Sequence, residues 1–468
     1  MKISSSLKTK RMIMFWSKLF IVLLQTGIYG WLWYGHYKDM MPVKYWERGN
    51  WAIIALYGIF IIVFSRAFGA LKVGYLKTWD IMYSQMLTII CVNGVTYLQL
   101  ELINGDWKLF ENSEPMFLLC AVDFIIVLCW ALFMRWIYAI IYPPHEMLLI
   151  YGNISPDAII SKLESRKDKY HVKEKMPLSA GMDNILERIL QYDAVLVGDI
   201  PVQDRNIFIK YCFEKDIRCY GIPKISDIMI RNSESIDLFD SPLLLFRNNG
   251  LTYRQMFVKR AMDIVISFVG IILASPFMLI IALAIKLYDH GPVFYKQKRQ
   301  TMGGREFDIL KFRSMIVDSE QHGARLAKEH DDRITPVGKV IRRLHFDELP
   351  QLFNILKGDM AFVGPRPERK EITEEYTKEI PEFPFRLKVK AGLTGYAQVY
   401  GKYNTTPYDK LKLDLTYIET YSFVLDIKLL MLTFKILFQK ENTEGVESWQ
   451  VTAATTEENK EKEEKTED

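Results

Sequence analysis

The strongest constraint on this chain is the crowding of long apolar runs before residue 145. Residues 15–34, 51–64, 81–100 and 116–132 approach the roughly 20 apolar residues that a helix needs to cross a bilayer. Half of the 468 residues are apolar, and the excess concentrates here, which predicts four transmembrane helices within residues 1–142. A signal peptide would end its short apolar core in a small-residue cleavage site. Bulky Trp31, Trp33 and Tyr34 follow the first run instead, so it reads as a retained helix.

Loop charges orient the bundle, because Lys and Arg stay on the cytoplasmic side. Lys8, Lys10 and Arg11 put the N-terminus inside, and Arg135 marks a cytoplasmic end for the fourth helix. The loop before Met116 is acidic, with Lys108 its only basic residue, and fits the outside. The first two loops, with Lys38, Lys44 and Arg48 against Arg66, Lys72 and Lys77, are evenly matched and decide nothing. Asp123 is an acid inside a membrane helix, a functional candidate by default, and the reading preferred here is pairing with a polar group between helices. Cys91, Cys120, Cys129, Cys212 and Cys219 form no metal-binding spacing and read as reduced core residues. The seven His are scattered, so zinc is not expected.

After Pro143 and Pro144, short apolar runs alternate with amphipathic ones. Residues 147–151, 194–197 and 219–222 read as buried strands, and 155–163 and 204–213 as helices, which predicts a Rossmann-like, CoA-binding-like α/β domain over 143–250. Ser155 before Pro156 is a good helix start. Tyr151-Gly152-Asn153 could approach a phosphate but lacks the further glycines of a dinucleotide fingerprint. A spacer or dimerisation role is the better reading, so a homodimer is allowed for. Residues 441–468 are rich in Glu and Lys and read as a disordered charged tail.

A fifth apolar run covers 264–285, within a segment at 255–290. Its plain reading is a fifth spanning helix, but its flanks argue otherwise. Lys259 and Arg260 precede it and Lys286, Lys296, Lys298 and Arg299 follow it, so both ends carry the cytoplasmic signature. Ser275-Pro276 lies mid-run: proline removes a backbone hydrogen bond, and the neighbouring hydroxyl can satisfy the freed carbonyl. A re-entrant membrane helix is expected, broken at Ser275 and Pro276.

Residues 291–440 carry the chemistry. Lys311 and Arg313, in Lys-Phe-Arg-Ser-Met, suit a multiply charged pyrophosphate, although alternating basic and apolar residues also mark an ordinary half-exposed strand. Arg342 and Arg343 precede Asp347-Glu348-Leu349-Pro350-Gln351, and Pro350 suggests acids at the start of a helix running to Leu356. An ionised Asp can attack phosphorus, and a neighbouring Glu can hold Mg²⁺. Taken alone, acids at a helix start are more often only caps. Arg366 lies between Pro365 and Pro367, whose stiffness lowers the entropy lost when its guanidinium is fixed.

Together Asp347 to Leu352, Gly358-Asp359-Met360 and Gly364-Pro365-Arg366-Pro367 resemble the bacterial sugar transferase family, the monotopic phosphoglycosyl transferases. Lys259-Arg260 with Asp263, Ser275-Pro276, Lys311 to Met315, and Gly392-Leu393-Thr394-Gly395 with Gln398 and Gly401 extend the resemblance over about 255–440. It implies a mainly α, α/β cytosolic catalytic domain at the inner membrane of a bacterium. In the implied reaction Asp347 attacks the β-phosphorus of a UDP-sugar, releases UMP and carries a sugar-phosphate ester, which undecaprenyl phosphate then attacks. Glu348 matches the family's Mg²⁺-binding acid, and Lys311, Arg342 and Arg366 match its phosphate-contacting positions. Large members of this plan initiate exopolysaccharide, capsule or O-antigen units, so other polysaccharide-assembly proteins are expected partners and nucleic acid is not. Ala391 stands where the family usually has Pro, Lys402 where Arg often follows the glycine, and Gln300-Thr301-Met302 where a glycine is usual. Two rival readings are a glycosyltransferase that releases UDP and a non-catalytic membrane scaffold.

Overall fold

A computed structural model describes residues 7–41, 46–105, 113–152, 156–164, 166–231, 233–238, 241–246, 250–317, 333–401 and 405–437. Asn153, Ser155, Lys402 and the segment 441–468 lie outside the described residues. The chain forms two compact units that divide between Pro223 and Lys224.

Among the described residues, five helical stretches are long and apolar enough to cross a membrane: Lys8–Met40, Arg48–Phe68, Thr78–Asn104, Glu114–Ile141 and Tyr253–Asp289. The first four form a bundle of α1 (Leu7–Leu32), α2 (Glu47–Phe68), α3 (Thr78–Asn104) and α4 (Glu114–Ile141), each packed on the next, with α1 also against α4. Ile21, Tyr29, Val92 and Met134 fill its interior. Phe20, Ile59, Leu98 and Phe133 face outward, as helices surrounded by lipid require. Asp123 is buried between helices, where the Tyr57 hydroxyl donates to Asn93 Oδ1 at 2.8 Å and lies 3.4 Å from Asp123 Oδ2. The acid thus meets polar groups of neighbouring helices, as the preferred reading held.

The bundle's ends supply the relative topology that the first two loops left undecided. Lys10, before the first apolar run, lies 5.5 Å from the centre of the Tyr142 ring, just beyond α4. Arg166, from the α/β part of this unit, donates to the carbonyls of Gly74 and Tyr75 in the α2–α3 loop. A Cβ at Gly74 would lie 2.2 Å from the Tyr138 ring, so only glycine lets this loop sit against the end of α4. The start of α1, the α2–α3 loop and the end of α4 therefore share one end of the bundle with the α/β sheet.

That sheet contains β1 (His145–Tyr151), β2 (Tyr170–Pro177), β3 (Ala194–Val197) and β4 (Arg218–Gly221), all parallel in the order β2-β1-β3-β4. Helices α5 (Asp157–Glu164), α6 (Met182–Ile189) and α7 (Val202–Glu214) connect successive strands, so the unit is an open α/β layer. Three strands fall where the sequence predicts them, but only β1 and β3 are buried; β4, at the sheet edge, is half-buried or exposed along its length. The edge strand β2 escapes that reading because its residues alternate between half-buried and exposed rather than forming an apolar run. At the carboxyl ends of β1 and β3, a Cβ on Gly152 would lie 2.6 Å from the Asp199 carbonyl oxygen. Close approach of two protein loops accounts for this glycine without a phosphate.

The second unit begins with α8 (Ile225–Arg231) and a hairpin of β5 (Glu234–Leu238) and β6 (Ser241–Leu245). Next comes α9 (Tyr253–Asp289), 37 residues long, which opens with a capping box between Thr252 and Gln255. An antiparallel pair, β7 (Phe294–Gln300) and β8 (Glu306–Phe312), leads to α10 (Pro336–Arg343) and α11 (Gln351–Lys357). Then β9 (Ala361–Val363), α12 (Lys370–Glu379), β10 (Gly392–Thr394), α13 (Tyr396–Tyr400), α14 (Pro407–Glu419) and α15 (Phe423–Leu437) complete it. Ile355, Met360, Val363, Phe383, Leu411, Leu415 and Leu429 form its core.

The break expected at Ser275 and Pro276 is not present: helix α9 continues through Pro276. Proline cannot donate to the carbonyl four residues back, Ile272, and the Ser275 hydroxyl donates to that same oxygen at 2.8 Å. Both halves of α9 pack on the second unit: Ile266, Ile271 and Ala274 against its main core, and Met278, Ile281 and Ile285 against Phe312 and Ile341. Its ends are tied down as well, Lys259 to Asp426 at 2.6 Å and Asp289 to Arg313. Val265, Phe268, Ile272, Leu273, Ile280 and Leu283 remain exposed on the opposite side.

Candidate active site

The acid pair occupies a single 3₁₀ turn, Phe346–Glu348, between α10 and α11. The sequence placed the acids at the start of a helix; the structure puts them one turn ahead of it, with Pro350 as the cap residue before Gln351. Proline has no N–H to donate, so the regular ladder begins only after it. His345 has φ of 56°, a left-handed conformation uncommon for a residue with a Cβ, and its N–H caps the Arg342 carbonyl at 3.1 Å. This reversal turns the chain out of α10 and presents the acids.

Three segments distant in sequence meet at Glu348. Its Oε1 accepts from Lys311 Nζ, near the end of β8, at 2.7 Å and from Arg366 Nη2, after β9, at 3.1 Å. Burial alone would raise the Glu348 carboxyl, but Lys311 and Arg366 outweigh it and hold the group well below the usual carboxylate range. Asp347 moves the other way. Burial raises it, Lys311 and Arg342 oppose the rise, and the Glu348 charge adds to it. Environments that push neighbouring carboxyls apart give them separate tasks: Glu348 stays ionised, and Asp347 is the more basic carboxylate.

If Asp347 must be ionised to react, lowering the pH through its raised pKa removes the reactive form. The acid limb of the kcat/KM profile is therefore expected above the ordinary Asp value of about 3.9. Lys311→Met, which deletes the largest opposing charge, should move that limb to still higher pH. A limb at or below the ordinary value would exclude this assignment.

Of the other residues picked out by sequence, Arg342 lies close enough to act on Asp347 electrostatically. Arg313 is not brought to the acids. Strand β8 ends at Phe312, and Arg313 turns away, 7% exposed, to pair with Asp289 at the end of α9. Among the described residues no three His, Cys, Asp or Glu side chains group as a metal site.

Much of the remaining motif is scaffold. A Cβ on Gly392 would lie 2.1 Å from Gly364 N, and one on Gly395 2.1 Å from Gly364 O, so the two glycine-bearing loops pack backbone to backbone. Arg260 donates to the Ile355 and Leu356 carbonyls at the end of α11, each at 2.7 Å, and Asp263 accepts from Phe362 N at 3.0 Å. Two departures from the family pattern touch each other: Ala391 N donates to Thr301 Oγ1 at 3.2 Å, and that hydroxyl donates to Asp359 O at 3.0 Å. A proline at 391 would have no N–H to offer. Ala391→Pro is expected to destabilise by about 1 kcal/mol, and by less in a Thr301→Gly background, as denaturant unfolding of wild type and the three variants would record.

Sequence reasoning missed a cluster beside Arg366. Glu368 is approached by Arg299 at 3.6 Å, by Arg386 at 3.8 Å and by Lys410. Burial opposes its ionisation, yet Lys410 and Arg386 bring the carboxyl down to about 2. Position next to Pro367 was the only sequence signal; Arg386 and Asp414 sit in unremarkable amphipathic stretches.

The profile of the family described as bacterial sugar transferase matches residues 254–440, which contain every segment of this site. A UDP-N-acetylgalactosamine-undecaprenyl-phosphate N-acetylgalactosaminephosphotransferase of Aeromonas hydrophila is 34% identical over 397 residues, 83% of this chain and 85% of that protein. A UDP-glucose:undecaprenyl-phosphate glucose-1-phosphate transferase of Xanthomonas campestris pv. campestris is 38% identical over 57% of this chain and 58% of its own length. A galactosyl transferase of Streptococcus agalactiae serotype III is 38% identical over 58% of this chain and 64% of its own. The first of these similarities runs through both units and the profile match covers the site, so the chain belongs to the bacterial sugar transferase family.

Proposed function

We propose that this protein transfers a sugar 1-phosphate from a UDP-sugar to undecaprenyl phosphate, the first membrane step in building an exopolysaccharide, capsule or O-antigen. The observation that carries the reading is the pairing of Glu348 with Lys311 and Arg366 beside the more basic Asp347. An Asp347 oxygen attacks the β-phosphorus, the bond to the bridging oxygen breaks, and UMP leaves with that oxygen. A phosphate oxygen of undecaprenyl phosphate then attacks the same phosphorus, and Asp347 departs as a carboxylate. The product is undecaprenyl-diphosphate-sugar. Lys311, Arg342 and Arg366 offset the phosphate charge that would otherwise repel an anionic nucleophile.

Two adjacent carboxyls with no third acid, His or Cys grouped beside them among the described residues suit Mg²⁺, which commonly takes one or two carboxylates together with substrate phosphates. Glu348 is the residue to hold it, and bound Mg²⁺ would supply charge neutralisation at the pyrophosphate. The relatives named above carry the names of N-acetylgalactosamine, glucose and galactosyl transferases, so the family leaves the sugar open.

The reading places α9 at the membrane as an unbroken helix that does not cross it, with both of its ends and the catalytic unit on the cytoplasmic face. Attachment of both ends of α9 to one folded unit supports this, because a spanning helix would separate them by an apolar core of roughly 30 Å. A cysteine introduced at Tyr288 is expected to resist a membrane-impermeant maleimide applied to intact cells and to react once they are opened. Labelling from outside would favour a spanning helix. The reaction itself is tested by incubating the full chain with undecaprenyl phosphate and a panel of UDP-sugars. Release of UMP supports the proposal, whereas UDP would mean transfer of the sugar alone.

A further inference from the structure

The loop that carries Arg366 is held in an unusual way: four successive carbonyls each accept a hydrogen bond from a different residue. Pro365 O accepts from Gly392 N at 2.9 Å, Arg366 O from Arg386 Nη2 at 2.9 Å, Pro367 O from Arg299 Nη1 at 3.2 Å and Glu368 O from Gln300 N at 2.9 Å. Arg386 is only 2% exposed. Its Nε and Nη2 also reach Asp414 Oδ2, at 3.0 and 2.8 Å, its Nη1 lies 3.8 Å from Glu368, and its guanidinium stacks on Phe383 with 5.1 Å to the ring centre. Asp414, on α14, is 1% exposed. A guanidinium so enclosed offers almost no surface to a substrate, yet one of its bonds ends on the backbone of the residue that meets Glu348.

We propose that Arg386, fixed by Asp414, is the positioning residue for Arg366, setting where its guanidinium stands relative to Glu348 and the transferred phosphate. Two prolines stiffen the loop along its length, and Arg386 and Glu368 fix its depth against α14. A planar fork is needed for this task, since one group must satisfy a carboxylate and a carbonyl together. Lysine, a point charge, can hold only one of them well. This inference rests on the transfer reading for its catalytic consequence, but the coupling of Arg386 to Arg366 can be measured apart from it.

The test is a double-mutant cycle on the full chain in detergent, comparing wild type, Arg386→Lys, Arg366→Ala and the double variant for kcat and KM of UMP release. Arg386→Lys is expected to lower kcat/KM by about tenfold to a hundredfold, the scale for misplacing a catalytic group by an ångström. In the Arg366→Ala background it should lower it less than about twofold, since effects that act through a lost group disappear with it. The shift in thermal unfolding should be the same in both backgrounds. Equal losses of activity in the two backgrounds, or none in either, would overturn the proposal. Full activity of Arg366→Ala would overturn it too while leaving the transfer reading intact. Should Arg386→Lys not fold, Glu368→Gln loosens the same loop while leaving the Arg386–Asp414 pair in place, and is read by the same cycle. If wild type releases no UMP, the transfer reading fails by itself. The cycle is then read as affinity for UDP, where additivity of the two substitutions would sink the positioning role.

Discussion

Asp347→Asn should lose turnover by at least about a thousandfold while unfolding at the temperature of the wild type, as expected for loss of a nucleophile that cannot be bypassed. The amide preserves the shape of the carboxyl, and Asp347 accepts none of the bonds that tie Lys311 and Arg366 to Glu348, so the scaffold has no reason to change. A second measurement separates loss of the nucleophile from loss of binding. Wild type incubated with a UDP-sugar radiolabelled in the sugar, without the lipid acceptor, should retain label after denaturation; Asp347→Asn should retain none. Near-normal UMP release by the variant would exclude the covalent scheme.

The largest loss of stability is expected where α9 is fastened to the C-terminal helices. Lys259 Nζ lies 2.6 Å from Asp426 Oδ2 and 3.1 Å from the Tyr417 hydroxyl, which lies 2.8 Å from Asp426 Oδ1 and 3.2 Å from Val363 O. The Lys259 and Asp426 side chains are 6% and 0% exposed. Removing one partner strands a buried charge, so Asp426→Ala should destabilise the catalytic unit by about 3–5 kcal/mol. Replacing both, with Lys259→Met and Asp426→Leu, should recover much of that loss, because a buried ion pair contributes little net stability over an apolar pair of similar size. Denaturant unfolding in detergent, followed by tryptophan fluorescence, would measure both. A double variant as unstable as the single one would mean that the network's geometry matters beyond its charge balance.

The sequence made the apolar helices and strands β1 and β3 legible because burial writes itself as unbroken apolar runs, whereas β4 lies at its expected place without being buried. Boundaries were less visible. Helix α4 continues to Ile141, beyond the run at 116–132, because the continuation keeps a buried Met134 amid residues that a window average blurs. At the site, the acids and Arg366 could be read from local chemistry only as candidates. Their meeting is a long-range fact, since Lys311, Glu348 and Arg366 come from three separate elements. Arg313 shows the limit of local reading: its type suits phosphate, but the strand stops one residue before it. Arg386 and Asp414 were invisible for the opposite reason, being charged residues whose burial no local pattern announces.

The double attachment of α9 has a practical consequence for anyone seeking to reduce the apolar surface of the second unit. Its inner face supplies Ile266, Ile271 and Ala274 to one cluster and Met278, Ile281 and Ile285 to another, so deleting it would open the catalytic unit along a whole side. Substituting its outer residues, such as Val265, Phe268 and Leu273, with polar ones is the less damaging route, because these make no part of that interior. Helices α1–α4 would still hold the full chain in a bilayer or detergent, so the change removes the apolar outer face of α9 alone and leaves the interior of the catalytic unit intact.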